Sequence, residues 1–405
     1  MLVGLAPFDK LKAFPDQNAS GRELVERLVA TPQLSVENRQ NAELELRVPR
    51  GTARWIAKSW HVRLRYHASI AFVCATTCAA ATGFKQDKLS AIDGAVTRAI
   101  AEKKLPGGVL WLEHAGISYR KAYGNRSVSP KFEQATQDTI FDAASLTKVV
   151  ATTTVIMQLV ERGAVDLDAP VARYVPAFGQ RGKNVVTVRH LMTHVSGLRA
   201  SLPRDPPWVG YAAAIELACA EELRTAPGSA FVYSDINYIV LGEIARVAGG
   251  RPLDELAQRN VFGPLKMTDT GYRPPATKRR RIAPTEIVDG KLLRGIVHDP
   301  TARNMGGVAG HAGVFTSASD LARFARMLLR GGELDGVRVL SAASVAEMTR
   351  PQIDGSDRRG LGWDVDSRFS APRGAWFPAG KSFGHTGWTG TSVWIAPQAN
   401  ESSSF

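Results

Sequence analysis

From Lys88 onward apolar residues recur at helical spacing, at Leu89, Ile92, Val96 and Ile100, until Pro106-Gly107-Gly108 interrupts them. Positions three and four apart share one face, so the pattern predicts a helix that ends at the Pro-Gly-Gly break. Two strand-like runs follow, Gly108–Glu113 and Ile117–Tyr123, separated by a short turn, which predicts an antiparallel hairpin. A helix leading straight into a hairpin excludes simple βαβ alternation. Further helices are expected at 146–162, at 187–194 and, amphipathic, at 235–248 and 319–330, with a last strand at Thr391–Ile395. The 405 residues, 44% of them apolar, can bury a large core, and no fixed-period repeat points to a solenoid or propeller. The pattern is that of a mixed α and β protein.

The formal charge of +13 raises the question of a nucleic-acid partner. Its distribution argues against one. Residues 1–85 hold twelve basic against seven acidic residues, so five of the thirteen charges fall outside the regular region. The sharpest run, Lys278-Arg279-Arg280-Arg281, follows Pro274-Pro275 and reads as a solvated loop without the aromatic interleaving of a nucleic-acid surface. Three cysteines give neither a disulfide framework nor metal-ligand spacing; Cys74 and Cys78 lie in an apolar stretch, and Cys219 fits as a small buried hydrophobe in the helical run Tyr211–Glu222. No metal or cofactor is expected.

The run Ala68–Ala81 is too short to span a bilayer, and no stable membrane span is expected. With Arg63 and Arg65 before it and Ala79-Ala80-Ala81 at its end, it reads either as a secretory signal or as an apolar helix in an N-terminal extension. A signal would place the protein in the periplasm or outside the cell; otherwise it is cytoplasmic. The expected divisions are an extension over 1–61, which a misassigned start would explain, the signal-like segment 62–85, a hydrolase domain over 86–397 and an irregular end at 398–405.

The stretch Phe141-Asp142-Ala143-Ala144-Ser145-Leu146-Thr147-Lys148 precedes the apolar run Val149–Leu159. On a helix opening near Ser145, Lys148 falls on the same face and its amine can reach the Ser145 hydroxyl. A serine hydroxyl needs a base to become a nucleophile, and a lysine neutralised by burial or a neighbouring cation can serve. The helix N-terminus adds a positive field where oxyanion charge develops. Alone, Ser-x-x-Lys is a weak signal. Two further segments strengthen it: Tyr233-Ser234-Asp235-Ile236-Asn237-Tyr238, and His385-Thr386-Gly387-Trp388-Thr389-Gly390-Thr391 ahead of the last strand.

Together these resemble the penicillin-binding protein and class C β-lactamase superfamily, in particular its serine esterases and D-peptidases. The similarity runs from about Lys88 to Pro397 and includes Leu191-Met192-Thr193-His194-Val195-Ser196-Gly197-Leu198 and Gly306-Gly307-Val308-Ala309-Gly310-His311-Ala312-Gly313. The resemblance implies an α+β fold, a mainly antiparallel sheet flanked by helices with an inserted helical region. It implies Ser145 as nucleophile, Lys148 and Tyr233 as the proton-handling residues, and the backbone N–H groups of Ser145 and Trp388 as the oxyanion hole, a device worth about 3–4 kcal/mol per donor in other hydrolases. Asp235, His385, Thr386 and Gly387 would contact substrate. His194 and His311 take framework places, and His298-Asp299 gives only a faint hint of a metal or proton relay.

Two departures bear on substrate. His385 stands where many relatives have the lysine that receives a substrate carboxylate, and a histidine is mostly neutral at pH 7. Asp235 replaces the usual asparagine; its charge would keep Lys148 protonated and leave more of the work to Tyr233. After Pro397 the chain does not continue into the further strand and closing helix of the family, which predicts an uncovered sheet edge and poor folding. The expected activity is hydrolysis of small carboxylic esters through an acyl-enzyme. A β-lactamase, a D-amino-acid peptidase, and a non-catalytic sensor of β-lactams or muropeptides are the alternatives.

Overall fold

The computed structural model describes residues 2–5, 83–353, 355–374 and 377–397. Cys74, Cys78 and the signal-like run lie outside the described residues. The expected first helix forms over Gln86–Ala101, and its Asp93 carboxylate accepts from the Tyr119 and Tyr123 hydroxyls at 2.7 and 2.6 Å. Those tyrosines lie four positions apart and so project from one face of the next hairpin. That hairpin is β2 (Gly107–His114) with β3 (Ile117–Ser127), paired throughout from Gly107↔Gly124 to His114↔Ile117.

The hairpin belongs to an eight-stranded sheet. Its other strands are β1 (Leu2–Leu5), β4 (Glu133–Gln134), β12 (Arg358–Arg359), β13 (Asp364–Asp366), β14 (Phe383–Thr386) and β15 (Ser392–Ile395), in the order β12-β13-β14-β15-β1-β2-β3-β4. A three-stranded sheet, β5-β9-β6, is built from β5 (Ile140–Asp142), β9 (Val314–Ser317) and β6 (Gly271–Tyr272). Two small hairpins pair β7 (Ile287–Val288) with β8 (Lys291–Leu292) and β10 (Glu333–Leu334) with β11 (Val337–Arg338). Among the described residues every named strand pair is antiparallel, with one isolated parallel bridge, Ile140↔Ile282, and the helices between β5 and β6 form the inserted helical region. The fold is α+β, as expected.

The uncovered edge does not appear. β1 inserts between β15 and β2, with Leu2 opposite both Trp394 and Leu112. Backbone groups that would otherwise be left as an open edge are thereby paired on both sides.

The helix Asp235–Gly249 runs through the middle of the inserted region and is buried on all sides from Ile236 to Ala245, which is why its apolar residues are not confined to one stripe. The amphipathic helix Ala318–Leu329 lies against the large sheet. Arg326 clamps it there through a two-pronged bond to Glu113 on β2. Cys219 is buried in the helix Tyr211–Ala220, in its expected role. The polybasic run is at the surface, as expected, with no buried residue, but it is coiled more tightly than a plain loop. Residues Ala276–Arg281 form a 3₁₀ turn in which Arg281 bonds Asp269 and Asp138 and Lys278 bonds the Thr268 carbonyl, so local carboxylates and carbonyls take up part of its charge. Among the described residues no helix is long and apolar enough to cross a membrane.

Candidate active site

β5 leads directly into the Ser145 segment. Ala143 N–H bonds Val314 O on β9 at 2.8 Å, and the chain then turns sharply at Ala144, whose φ of 45° is a left-handed conformation that costs a residue with a side chain. The Ala144 N–H donates to the Asp142 carboxylate at 2.8 Å, which holds the turn. Asp142 is fully buried and also accepts from His298 N–H at 2.7 Å; burial pushes its pKa up to about 6 against the lowering effect of these two donors. The helix opens with short-range bonds such as Lys148 N–H to Ser145 O at 3.0 Å, then widens into a π turn over Lys148–Thr153 before the regular helix Thr154–Glu161. Such π turns concentrate at functional sites.

Lys148 is wholly buried, and its ammonium donates to three acceptors: Ser145 Oγ at 3.0 Å, Asp235 Oδ1 at 2.7 Å and the His311 carbonyl at 3.2 Å. Burial alone would lower its pKa, but the Asp235 carboxylate, hydrogen-bonded to the ammonium, outweighs burial and holds the group protonated, above the ordinary lysine value. Asp235 opens the long central helix, and the residues just before it are pinned: Val232 N–H to His194 O at 2.9 Å, Ser234 N–H to His194 Nδ1 at 3.0 Å, Asp235 N–H to Ala200 O at 2.7 Å. His194 is therefore a framework residue, held neutral by burial and the nearby Arg359 and Lys148 charges. Its ring lies 4.5 Å from that of Tyr233, centroid to centroid, while the Lys148 ammonium sits 4.8 Å from the Tyr233 ring centroid.

The third motif closes the site. Thr386 ends β14, and the turn at 387–390 is fastened to the Ser145 segment by Thr389 Oγ1 to Asp142 O at 2.7 Å and Thr391 Oγ1 to Ala143 O at 3.0 Å. A Cβ on Gly387 would stand 2.1 Å from Thr391 Oγ1 and 2.6 Å from Ala143 O, so only glycine permits the approach. Backbone segments carrying Ser145 and Trp388 are thus brought side by side, with the Trp388 ring 56% exposed. His385 is in the wall instead of at the surface. Its Nδ1–H donates to Thr386 O at 2.7 Å, its Nε2 is buried without a hydrogen-bond partner, and burial, with Arg359 and Lys148, lowers its pKa well below the usual value. The ring offers a lone pair and no positive charge.

Two features escaped the sequence. One is Arg359, 1% exposed, which donates to Gly362 O at 3.1 Å and lies 6.0 Å from the Tyr233 ring centroid. The other is the pairing of Asp299 Oδ1 with His311 Nε2 at 2.8 Å behind Lys148. Asp235, Asp299 and His311 bring one polar atom each within 4.8 Å of one another. Asp235 is bonded to the lysine ammonium and the other two to each other, which makes the group a charge network around Lys148. His298 pairs instead with Glu286 at 3.3 Å.

The Beta-lactamase family pattern matches residues 92–402. A protein of Escherichia coli strain K12 named "Putative D-alanyl-D-alanine carboxypeptidase" is 30% identical over 356 residues, covering 78% of this chain and 81% of its own length. One of Salmonella typhimurium strain LT2 with the same name is 29% identical over 364 residues, with the same coverage. The octameric penicillin-binding protein homologue from Pyrococcus abyssi superposes with a TM-score of 0.63 at 25% identity, over 78% of this chain and 74% of that one. EstCE1, described as a hydrolase with promiscuous acyltransferase activity, shares the fold with a TM-score of 0.63 at 22% identity, over 76% of this chain and 90% of its own. With the family pattern covering about three quarters of its length, this chain belongs to the Beta-lactamase family of serine hydrolases.

Proposed function

We propose that the chain hydrolyses small, uncharged carboxylic esters through an acyl-enzyme on Ser145. Ser145 Oγ attacks the acyl carbon while the Ser145 and Trp388 N–H groups receive the developing oxyanion. Lys148, held as an ammonium by Asp235, is a fixed cation that orients Oγ and is a poor base while Asp235 is ionised. Tyr233, within reach of the Lys148 and Arg359 cations, relays the proton: its oxygen takes the Ser145 proton as its own O–H goes to the leaving alkoxide, and in deacylation it takes one from the attacking water as it returns one to Ser145 Oγ. Asp235, Thr386 and Gly387 line the substrate's path, and the exposed Trp388 ring offers an apolar surface to the acyl or alcohol group. His385 contributes shape.

The observation that carries the ester preference is the neutral, buried His385, since a substrate carboxylate finds no cation there. A second reading, a D-alanyl-D-alanine carboxypeptidase, rests on the names of the relatives at 29–30% identity. Turnover of short p-nitrophenyl esters, nitrocefin and a peptide ending in D-Ala-D-Ala should be compared for the protein and its Ser145→Ala variant. Ester turnover lost in Ser145→Ala, with slow nitrocefin cleavage and slow D-alanine release, is expected. Faster D-alanine release than ester cleavage would establish the peptidase, and activity surviving Ser145→Ala would remove Ser145 from the mechanism.

A further inference from the structure

We infer that Asp299 and His311 are positioning residues for Lys148, resting on the reading of Ser145 and Lys148 as the reactive pair. Asp299 sits just before the short helix Pro300–Asn304 and caps it, Oδ1 accepting from Ala302 N–H at 2.7 Å. The same oxygen meets His311 Nε2 at 2.8 Å. Burial would raise the Asp299 pKa, but His311, then the Ala302 N–H and last Lys148 outweigh burial and hold the carboxyl well below its usual range. It is therefore an acceptor, and His311 Nε2 carries the hydrogen.

The consequence lies in the His311 main chain. Its carbonyl is the third acceptor of the Lys148 ammonium, and the side chain, 1% exposed, is locked to Asp299. The preceding residue is fixed as well, for Gly310 O accepts from Thr152 Oγ1 at 2.6 Å and the Gly310 backbone lies against Tyr238 and Gly242. A carbonyl so held cannot follow the lysine if the lysine moves. Ser145, Asp235 and His311 thus define one orientation of the ammonium, and Asp299 adds a second negative charge near it. The other charged or titratable groups facing Lys148 are Tyr233 and Tyr238, with His194 and His385 beyond them, both neutral.

The test uses Asp299→Asn, which keeps the helix cap and an acceptor for His311 but loses the charge, and His311→Ala, which frees the carbonyl segment. Fluorophosphonate labelling of Ser145, the melting temperature, and kcat and KM for a p-nitrophenyl ester across pH are measured for each. In Asp299→Asn we expect a wild-type melt, an unchanged KM, kcat down about tenfold, as for loss of one charged hydrogen-bond partner, and an alkaline downturn at lower pH. Asp299→Glu should restore part of kcat. His311→Ala should also lower kcat more than it changes KM. Wild-type kcat and a superimposable pH profile in Asp299→Asn overturn the assignment while wild-type labelling of Ser145 leaves the parent reading standing. A wild-type protein that neither labels at Ser145 nor turns over ester overturns both.

Discussion

Asp235 touches the lysine that touches Ser145, the proposed nucleophile, so its single negative charge fixes what Lys148 can be. Because the carboxylate favours the charged form of the lysine, Asp235→Asn should lower the Lys148 pKa. If the ammonium is the working form, kcat/KM in Asp235→Asn turns down on the alkaline side, about tenfold for each pH unit past the new value, where the wild-type profile stays flat. A shift of the acid limb to lower pH instead would identify Lys148 as the base. Ser145, Lys148 and Tyr233 were legible because a three-residue spacing and two ordered motifs point at them. Arg359 was not, since it reaches the site from a distant segment and nothing in Arg358-Arg359-Gly360 marks a buried charge, and Asp299 gave only a faint hint beside His298, with no sign of its pairing to His311.

At the scale of elements, the close contact between the helix Asp235–Gly249 and the 306–313 segment depends on Gly310. A Cβ there would lie 1.9 Å from Tyr238 O and 3.1 Å from Gly242 N, both backbone atoms that cannot swing aside. Gly310→Ala should destabilise the protein by about 3 kcal/mol, the upper end of ordinary overpacking, and lower the melting temperature by about 4 °C. Ester turnover should fall with it, because the neighbouring His311 carbonyl moves off Lys148; an unchanged melt would mean the segment relaxes freely. Elements with a clear period were readable: 319–330 was expected as a helix and Ala318–Leu329 forms one, and the first hairpin differs only at its ends. Strands of two residues, such as β4, β6 and β12, carry no period to read. The 3₁₀ turn through the polybasic run was hidden because its carboxylate partner Asp269 lies in a separate turn.

For the whole molecule, the large sheet is continuous only because β1 joins the hairpin β2–β3 to the hairpin β14–β15. Removing residues 1–5 should leave two facing edges open, lower the melting temperature and promote association, read by a thermal melt with light scattering. A truncated protein that melts like the intact one and scatters no more light would show that the slot closes without β1. No periodicity could have announced this strand, since four residues gain strand structure only from the neighbours they meet. The placement also sets a clock on biosynthesis. Leu2 pairs with Trp394, and at ordinary translation speeds about 20–80 s separate their emergence. Until then β1 has β2 as its one partner strand, and the nascent chain carries a vacant groove in its sheet that a chaperone, or another nascent chain on the same message, can reach first.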